Sequence, residues 1–490
     1  MSISFNQVPA NLRVPFLYAE FDNENAVSGP STQPYRTLMI GPRLASGTKA
    51  ALTKNLITSY EQAKEYFGDG SLLAEMAGSY LQNNKVNELW CVPMADAVAG
   101  VASTGSIQIT GAPTKSGALK LYIAGRKVEV AVASGDALAD IVTNIKAVMD
   151  ADASLLVSSV VNGGDNTILD FTAKSKMVEG DDIDIRFNYF DGDEFPEGLG
   201  ATITAMNGGA ANPDVADVIG VLDDTQYINI VSAYKDAANI NTMETELTTR
   251  FGPITQNDGY AQYGTKGSLS ELITEGDNYN SQFTTLHRSS GPIHPAVQVA
   301  AKVGVIALQG QIDPARPFQT LEVLGILAES DDEKLTLEER NILLFHGIAT
   351  DKTIDGGKVV IERVITTYKK NNAGADDVSY LDLNTLLTLS FIRYDWRNYM
   401  LRKYPRHKLA NDGTRFASGQ KIMTPNLGKA EAITKFEEWE ENGLVEGLEQ
   451  FKEDLIVERN GSDVNRLDFL LAPDLVNQLR VMGTKIGFLL

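Results

Sequence analysis

Alternating apolar and polar blocks along the chain predict an α/β fold. The apolar run over residues 35–41 ends in glycine, which is typical of a short buried strand. Thr58 and Glu61 have the spacing of a capping box, so a helix is expected from there to Gly68. A second helix is predicted over 71–82 and a second apolar strand over 88–93. Strand, helix, helix and strand together indicate the beginning of a layered α/β sheet.

From about residue 96 to residue 207 the pattern changes to short alternating segments. Apolar residues alternate on either side of Gly125, which predicts a hairpin. A helix is predicted over 137–149, and strands over 167–172 and 182–187. This part of the chain is therefore interpreted as a small α+β unit inserted into the surrounding domain.

The α/β alternation resumes after the insertion and continues into helical and strand-like segments near the end. The predicted elements in this part are strands over 227–233, 260–263, 283–287 and 321–327, helices over 242–250, from Leu269, over 295–308 and from Thr336, and a hairpin over 348–368. Two long helices are predicted over 381–401 and 432–452, followed by strand patterns over 454–458, 466–471 and 475–490.

Both ends of the chain are apolar although chain ends usually fray. Residues 11–21 read NLRVPFLYAEF, and the chain ends in LRVMGTKIGFLL. Terminal segments remain poorly ordered unless they dock against something. The two ends are therefore predicted to be arms that bind a partner.

Composition excludes several classes of protein. The chain has 490 residues, enough for about three domains, and a formal net charge of -21, which argues against a general nucleic-acid coat. Cys91 is the only cysteine, so neither an internal disulfide nor a multi-thiolate metal site is expected. No apolar stretch is long enough for a membrane span, and the first residues do not resemble a secretory signal, so a cytoplasmic origin is expected.

Three segments partly resemble catalytic or metal-binding motifs, but none of them has the residue spacing that its motif requires. The segment 41–49 superficially resembles a phosphate-binding loop, but its glycine spacing is one residue too long and Thr48 separates Gly47 from Lys49. His287 lies near two serines without a nucleophile-elbow motif, and the acidic stretch 181–197 lacks EF-hand spacing. No catalytic residue, metal site or cofactor is expected.

One contrast of charge is more informative. Six basic residues and one acid give residues 393–408 a charge of +5, whereas ten acids and two lysines give residues 431–458 a charge of -8. Either these segments face each other or solvent within one domain, or one of them meets an oppositely charged partner. The candidate contact residues are Arg393, Arg397, Arg402, Lys403 and Arg406.

Two long blocks carry a resemblance to a known family. The first, YRTLMIG with the segment 56–93, LITSYEQAKEYFGDGSLLAEMAGSYLQNNKVNELWCVP, resembles contractile phage tail sheath proteins. The second, over 359–405, begins VVIERVITTYKKNNAGADD and is similar to the join between the sheath core and the carboxyl-terminal domain. The opening NLRVPFLYAEFDN resembles the Mu-like branch of this family.

The resemblance implies a domain organisation. It implies an α/β fold with a layered sheath core of subtilisin-like sheet topology, an inserted small α+β domain, and an α+β carboxyl-terminal domain with extended terminal arms. The expected boundaries are an amino-terminal arm over 1–24, a discontinuous core over 25–96 and 207–375, an outer decoration domain over 97–206, a polymerisation domain over 376–478 and a carboxyl-terminal arm over 479–490. The term subtilisin-like refers to the sheet topology only, because this sequence contains no motif for protease chemistry.

The resemblance also implies a structural function. Such a subunit polymerises as stacked hexameric rings around a tail tube and contracts to drive the tube through the host envelope for genome ejection. The implied partners are other copies, the tube, baseplate and tail terminator proteins, with no nucleic acid or membrane, and the implied location is the virion tail after assembly in the host cytoplasm. The implied inter-subunit arm residues are Leu12, Val14, Phe16, Leu17, Tyr18, Leu479, Val481, Ile486 and Phe488.

Two other functions remain as alternatives to the sheath interpretation. One is a hydrolase built on an α/β core, and the other is a surface adhesin or binding module whose insertion holds the ligand. A peptide-cleavage assay would detect the first. A monodisperse monomer that forms no rings would favour the second.

Overall fold

The computed structural model of the protein describes residues 33–417 and 419–489. These residues form twenty-one strands, β1 Arg36–Pro42, β2 Asn55–Ile57, β3 Glu88–Met94, β4 Thr104–Gly111, β5 Gly117–Ile123, β6 Arg126–Val132, β7 Val157–Val161, β8 Ile168–Ala173, β9 Ile185–Phe187, β10 Leu199–Asn207, β11 Asn229–Ser232, β12 Tyr260–Thr265, β13 Thr284–Arg288, β14 Ile348–Ile354, β15 Lys358–Arg363, β16 Lys408–Leu409, β17 Ile422–Met423, β18 Val445–Glu446, β19 Ile456–Arg459, β20 Leu467–Leu470 and β21 Asp474–Leu475. They also form eleven α-helices, α1 Tyr60–Phe67, α2 Leu72–Asn83, α3 Leu138–Ala151, α4 Ala216–Ile219, α5 Ala237–Phe251, α6 Leu269–Asp277, α7 Pro295–Ile312, α8 Leu337–Phe345, α9 Leu383–Lys403, α10 Pro425–Glu441 and α11 Leu448–Asp454.

The largest sheet has eight strands in the order β15-β14-β13-β12-β11-β1-β3-β2. Its six inner strands run parallel, and the outermost β15 and β2 are antiparallel to their neighbours. Strands β11, β12 and β13 are buried along their whole length, as parallel strands covered by helices are. The predicted α/β sheet is therefore present.

Helices α2 and α7 pack closely against each other beside this sheet. Gly304 of α7 makes the approach possible, because a Cβ at this position would lie 2.9 Å from the carbonyl oxygen of Tyr80 and 3.0 Å from the Cβ of Asn83. Twelve of the eighteen residues of α7 are buried, so this helix is central to the core.

The chain between β3 and α4 forms two sheets of its own. One has the order β10-β4-β8-β7 and the other the order β6-β5-β9, with α3 packed between strands of both. The β5–β6 hairpin turns at Ala124 and Gly125, both with positive φ, where the sequence predicts the turn. Val101 and Ala210 form a β-bridge, so the chain enters and leaves this region at neighbouring points.

Polar contacts join this region to the large sheet. Arg126 donates hydrogen bonds to Glu75 at 2.6 Å and to the hydroxyl of Tyr60 at 2.9 Å. Glu179, in a 3₁₀ turn, accepts a bond from the backbone N–H of Lys235 at 2.8 Å. Burial raises the pKa of Glu179 to about 7. These contacts attach the region to α1, to α2 and to the loop after β11.

The carboxyl-terminal part has a second, smaller core. The rings of Phe436 and Phe451 stack with their centroids 4.1 Å apart. Trp439 donates its indole N–H to Asp395 at 2.8 Å, and Lys435 forms an ion pair with the same carboxylate at 2.7 Å. The buried charge of Lys435 is therefore paired, which is what a buried ammonium group requires.

Several predicted elements differ from the structure. Ser59 caps α1 instead of Thr58, since its hydroxyl accepts from the N–H of Gln62. Residues 321–327 form no strand but turn at Gly325, where φ is +81°. The helix predicted over 432–452 is two helices, because Gly447 has a positive φ that favours glycine over other residues. Strands β2, β4, β7, β10, β16, β17 and β18 were not predicted.

Candidate assembly surfaces

The carboxyl-terminal arm is extended and exposes apolar side chains. Residues 476–489 form neither helix nor strand. Val481 is 85% exposed, Ile486 86% and Phe488 80%, whereas an isolated subunit normally covers a run of this kind. The predicted strand over 475–490 is therefore paired only at β21 within this subunit.

Polar contacts fix the point at which this arm leaves the subunit. Arg480 donates to Asp382 and to the side-chain oxygen of Asn384, each at 3.0 Å. Gln319 donates to the carbonyl oxygen of Leu479 at 3.2 Å. Burial lowers the pKa of Arg480, although Asp382 opposes the shift. Arg480 was missed by sequence reasoning, and its only signal was a cation at the start of an apolar arm that also contains Lys485.

The predicted residues of the amino-terminal arm lie outside the described residues. They are Leu12, Val14, Phe16, Leu17 and Tyr18. Their role in contacts between subunits stays a prediction.

The β19–β20 hairpin has an exposed apolar face. Ile456 and Leu470 are opposite each other in the register and are 51% and 56% exposed. On the other face Phe469 packs against Trp396, with ring centroids 5.4 Å apart. Neither outer edge of this hairpin is paired with another strand of the described chain. Isolated two-stranded sheets are marginally stable, so these edges are suited to accept a further strand.

Two of the five candidate cations are used within the subunit. Arg393 forms an ion pair with Asp258, and its guanidinium lies 4.2 Å from the centre of the Phe251 ring. Lys403 forms an ion pair with Glu431 at 2.6 Å. For these two residues the structure favours contacts within the chain. The prediction of an external contact therefore narrows to Arg397, Arg402 and Arg406, which are exposed.

The loop over 41–49 has a structural role. The guanidinium of Arg43 donates to the carbonyl oxygens of Gly47 at 3.0 Å and Lys49 at 2.5 Å. The N–H groups of Gly47, Thr48 and Lys49 donate to backbone carbonyl groups. A phosphate-binding loop needs free N–H groups at its centre, and this loop places a cation among carbonyl oxygens instead.

The histidines and acids considered from sequence are also engaged in the fold. His287 is buried against Gln262 at 2.9 Å, and burial lowers its pKa. His294 caps α7 by accepting from the N–H of Ala296. In the acidic stretch, Asp193 pairs with Lys120 at 2.6 Å. Within residues 33–417 and 419–489, no group of three or more metal-binding side chains comes together.

Comparisons with known proteins agree with one another. Residues 208–367 match the family model for the phage tail sheath protein central domain, and residues 375–486 match the model for the phage tail sheath C-terminal domain. The chain is 41% identical to the Mu-like prophage FluMu tail sheath protein of Haemophilus influenzae over 491 aligned positions, which cover all of both chains.

Solved structures have the same fold at low sequence identity. A sheath tail protein of Desulfitobacterium hafniense is 11% identical with a TM-score of 0.51, covering 95% of this chain and 97% of its own. The sheath of an extracellular contractile injection system in its contracted state is 9% identical with a TM-score of 0.50, covering 97% of this chain and 98% of its own. At these identities the similarity establishes the fold alone.

Proposed function

Since the chain belongs to the phage tail sheath family, on its Mu-like branch, we propose that it polymerises as stacked hexameric rings around a tail tube and contracts to drive that tube through the host envelope. The predicted family is confirmed by the full-length relative. Membership in a family of structural proteins also sets aside the hydrolase and adhesin alternatives.

The observation that carries the proposal of polymerisation is the exposed apolar arm. Its large apolar side chains include Val481, Ile486 and Phe488, and Arg480 fixes its base to the subunit. In a neighbouring copy such an arm would add a strand to an open edge, and the β19–β20 hairpin offers one. The native form of the protein is then a lattice in which each subunit completes the next.

The energetics favour strand exchange only when the apolar anchors are buried. Ordering an arm costs about 1 to 2 kcal/mol per residue, and each net main-chain hydrogen bond returns only about 0.5 to 1.5 kcal/mol. Burial of an anchor such as Phe488 adds roughly 1.5 to 3 kcal/mol. Assembly should therefore be cooperative, because a single arm is marginal by itself.

We further propose the division of the chain into the five parts predicted from sequence. The two small sheets between β3 and α4 support an outer decoration domain over 97–206, and the parallel order of the large sheet supports a subtilisin-like core. The smaller core around Trp439 supports a polymerisation domain over 376–478. Contraction requires a second packing of the same subunits at lower free energy, with the tube, baseplate and terminator proteins holding the first.

Arm variants test the proposal of strand exchange. Deleting residues 1–21 or 479–490 is expected to abolish polymerisation and leave a folded monomer. A sharper variant, Val481→Asn with Ile486→Asn and Phe488→Asn, keeps the length of the arm and removes its anchors, so it should also fail to form tubes in negative-stain electron microscopy. The matched control, Thr484→Asn with Lys485→Gln, changes only exposed polar residues and should assemble. Normal tubes from the triple variant would contradict the proposal.

A further inference from the structure

Helices α9 and α10 lie antiparallel in the carboxyl-terminal part. Asp395, just past the middle of α9, contacts Trp439 near the end of α10. Lys403, at the end of α9, contacts Glu431 in the first half of α10. The carboxyl-terminal end of α9 therefore lies beside the beginning of α10, which gives this helix pair two distinct ends.

Exposed cations without an acidic partner gather at one end. We call this group the basic end, and it consists of Arg397, Arg402, Arg406, Lys408 and Lys421. Lys408 and Lys421 are brought together by the short β16–β17 ladder, where the N–H of the first donates to the carbonyl oxygen of the second at 3.0 Å. None of the five forms an ion pair with any residue that the structure describes.

Exposed acids without a basic partner gather at the other end. We call this group the acidic end, and it consists of Glu437, Glu441, Glu446, Glu453 and Asp454, which lie in or next to the end of α10 and in α11. No lysine, arginine or histidine of the described ranges is within ion-pair distance of these five carboxylates. One helix pair and its flanking segments therefore carry unpaired cations at one end and unpaired acids at the other.

The two ends do not neutralise each other within a subunit. Helix α10 has 17 residues, so at about 1.5 Å per residue its ends are about 25 Å apart. That distance exceeds the screening length of about 8 Å at physiological ionic strength. The two ends are therefore screened from each other, and each can interact more strongly with a neighbouring molecule than with the opposite end of its own subunit.

Helix stability does not explain the acids at the end of α10. Acids are favourable near the beginning of a helix and cations near its end. Helix α10 has no acid in its first turn and no cation in its last turn, where Glu438, Glu440 and Glu441 lie. The acids of α10 thus oppose its dipole, whereas Arg402 lies in the last turn of α9, where a cation is favourable.

We propose that the basic end of one subunit binds the acidic end of a second copy, head to tail. This inference rests on the proposed polymerisation and adds the charge contact that sets its register. A heterologous contact between two different ends generates rings or helical filaments, as a sheath requires. Because the same helix pair carries unpaired charges of both signs, a second copy offers the complement of each end, which favours it over an acidic tail tube as the partner. Opposite charges would steer the encounter and reject wrong registers.

A charge-swap experiment tests this contact in the full-length chain. The first variant carries Arg397→Glu, Arg402→Glu and Arg406→Glu, and the second carries Glu437→Lys, Glu441→Lys and Glu446→Lys. Each variant alone should assemble about tenfold more slowly than wild type by light scattering, because like charges now meet. An equal mixture should recover wild-type assembly, since the two variants form complementary alternating contacts.

Controls separate folding and net charge from the specific contact. Thermal melting followed by circular dichroism checks that each variant is folded. Lys85→Glu with Lys115→Glu and Lys176→Glu makes the same change in net charge as the first variant, at exposed lysines elsewhere, and it should assemble normally.

The outcomes distinguish this inference from the proposed function. Failure of the wild-type chain to assemble at all would overturn both. If wild type assembles and the mixture stays as slow as the first variant, the head-to-tail contact is wrong. If the first variant instead assembles normally but no longer decorates tail tubes in co-sedimentation, the basic end binds the tube and not a second copy.

Discussion

Glu179 is a carboxylic acid buried where the inserted region meets the large sheet. One of its oxygens accepts from the backbone N–H of Lys235 and from the amide of Asn212, whereas the other has no partner. Burial raises its pKa from an ordinary value of 4.5 to about 7, against the opposing effect of these hydrogen bonds. The folded protein therefore holds this proton more tightly than the unfolded chain does.

This shift predicts a specific dependence of stability on pH. The stabilising contribution of Glu179 is fully present below about pH 4.5 and is lost as pH rises through about 7. The unfolding free energy of wild type minus that of Glu179→Gln should fall by up to about 3 kcal/mol between pH 5 and pH 8. Urea unfolding at several pH values measures it. The exposed Glu65→Gln variant is the control, and a difference that does not change with pH would contradict the prediction.

At the scale of elements, the inserted region is expected to be removable. Val101 and Ala210 are bridged by a hydrogen bond of 2.9 Å, so a two-residue turn can join them without moving the core. A chain with residues 102–209 replaced by Gly-Ser should fold and form tubes, with a lower melting temperature because the contacts of Tyr60 and Glu75 are lost. Tubes and melting are measured by electron microscopy and circular dichroism.

A full-length variant separates the docking contact from the deletion. Arg126→Ala leaves the insertion in place but removes its ion pair with Glu75, and it should lower the unfolding free energy by about 1 to 3 kcal/mol.

Loss of tubes in the shortened chain, with its fold intact, would mean that the insertion takes part in assembly.

Sequence patterns predicted elements well where one face is buried and poorly where glycine or small polar residues decide. The β5–β6 hairpin was predicted because its apolar residues alternate on one face. Strand β10 was missed because glycine, alanine and threonine make the alternation of LGATITAMN weak; only Leu199 and Met206 are buried, and the strand is held by pairing with β4. The helix over 432–452 was predicted unbroken because its apolar spacing continues, whereas Gly443 and Gly447 adopt positive φ between α10 and α11.

The candidate surfaces were only partly predictable, because charge patterns in sequence do not reveal ion pairs formed in space. The apolar residues of the carboxyl-terminal arm are exposed, and their contact with other copies stays a prediction, whereas Arg480 and its contact with Asp382 were not predicted. Arg393 was grouped with Arg397 on one helix face, yet it pairs with Asp258, which is 135 positions away in the chain. Contacts of that range depend on the fold.

At the scale of the whole molecule, the described chain has two hydrophobic cores of very different size. The large core includes residues from Tyr35 to Leu387, and the small core contains nine buried residues, Ala315, Ile392, Ala432, Phe436, Trp439, Leu444, Val445, Phe451 and Leu455. A smaller core buries less apolar surface and is less stable by itself. Helix α9 contributes buried residues to both cores and so connects them, although the two cores remain separate clusters.

We therefore expect the carboxyl-terminal part of the unassembled chain to unfold first. In a Trp90→Phe variant the remaining tryptophans, Trp396 and Trp439, both pack in the small core, so their fluorescence follows that core alone. Its urea midpoint should lie below the midpoint of circular dichroism by roughly 0.5 to 1 M, if the two parts differ by about 1 to 2 kcal/mol. In assembled tubes both midpoints should rise, since neighbours bind only the folded subunit. Coincident midpoints in the unassembled chain would show that the two cores unfold as one unit.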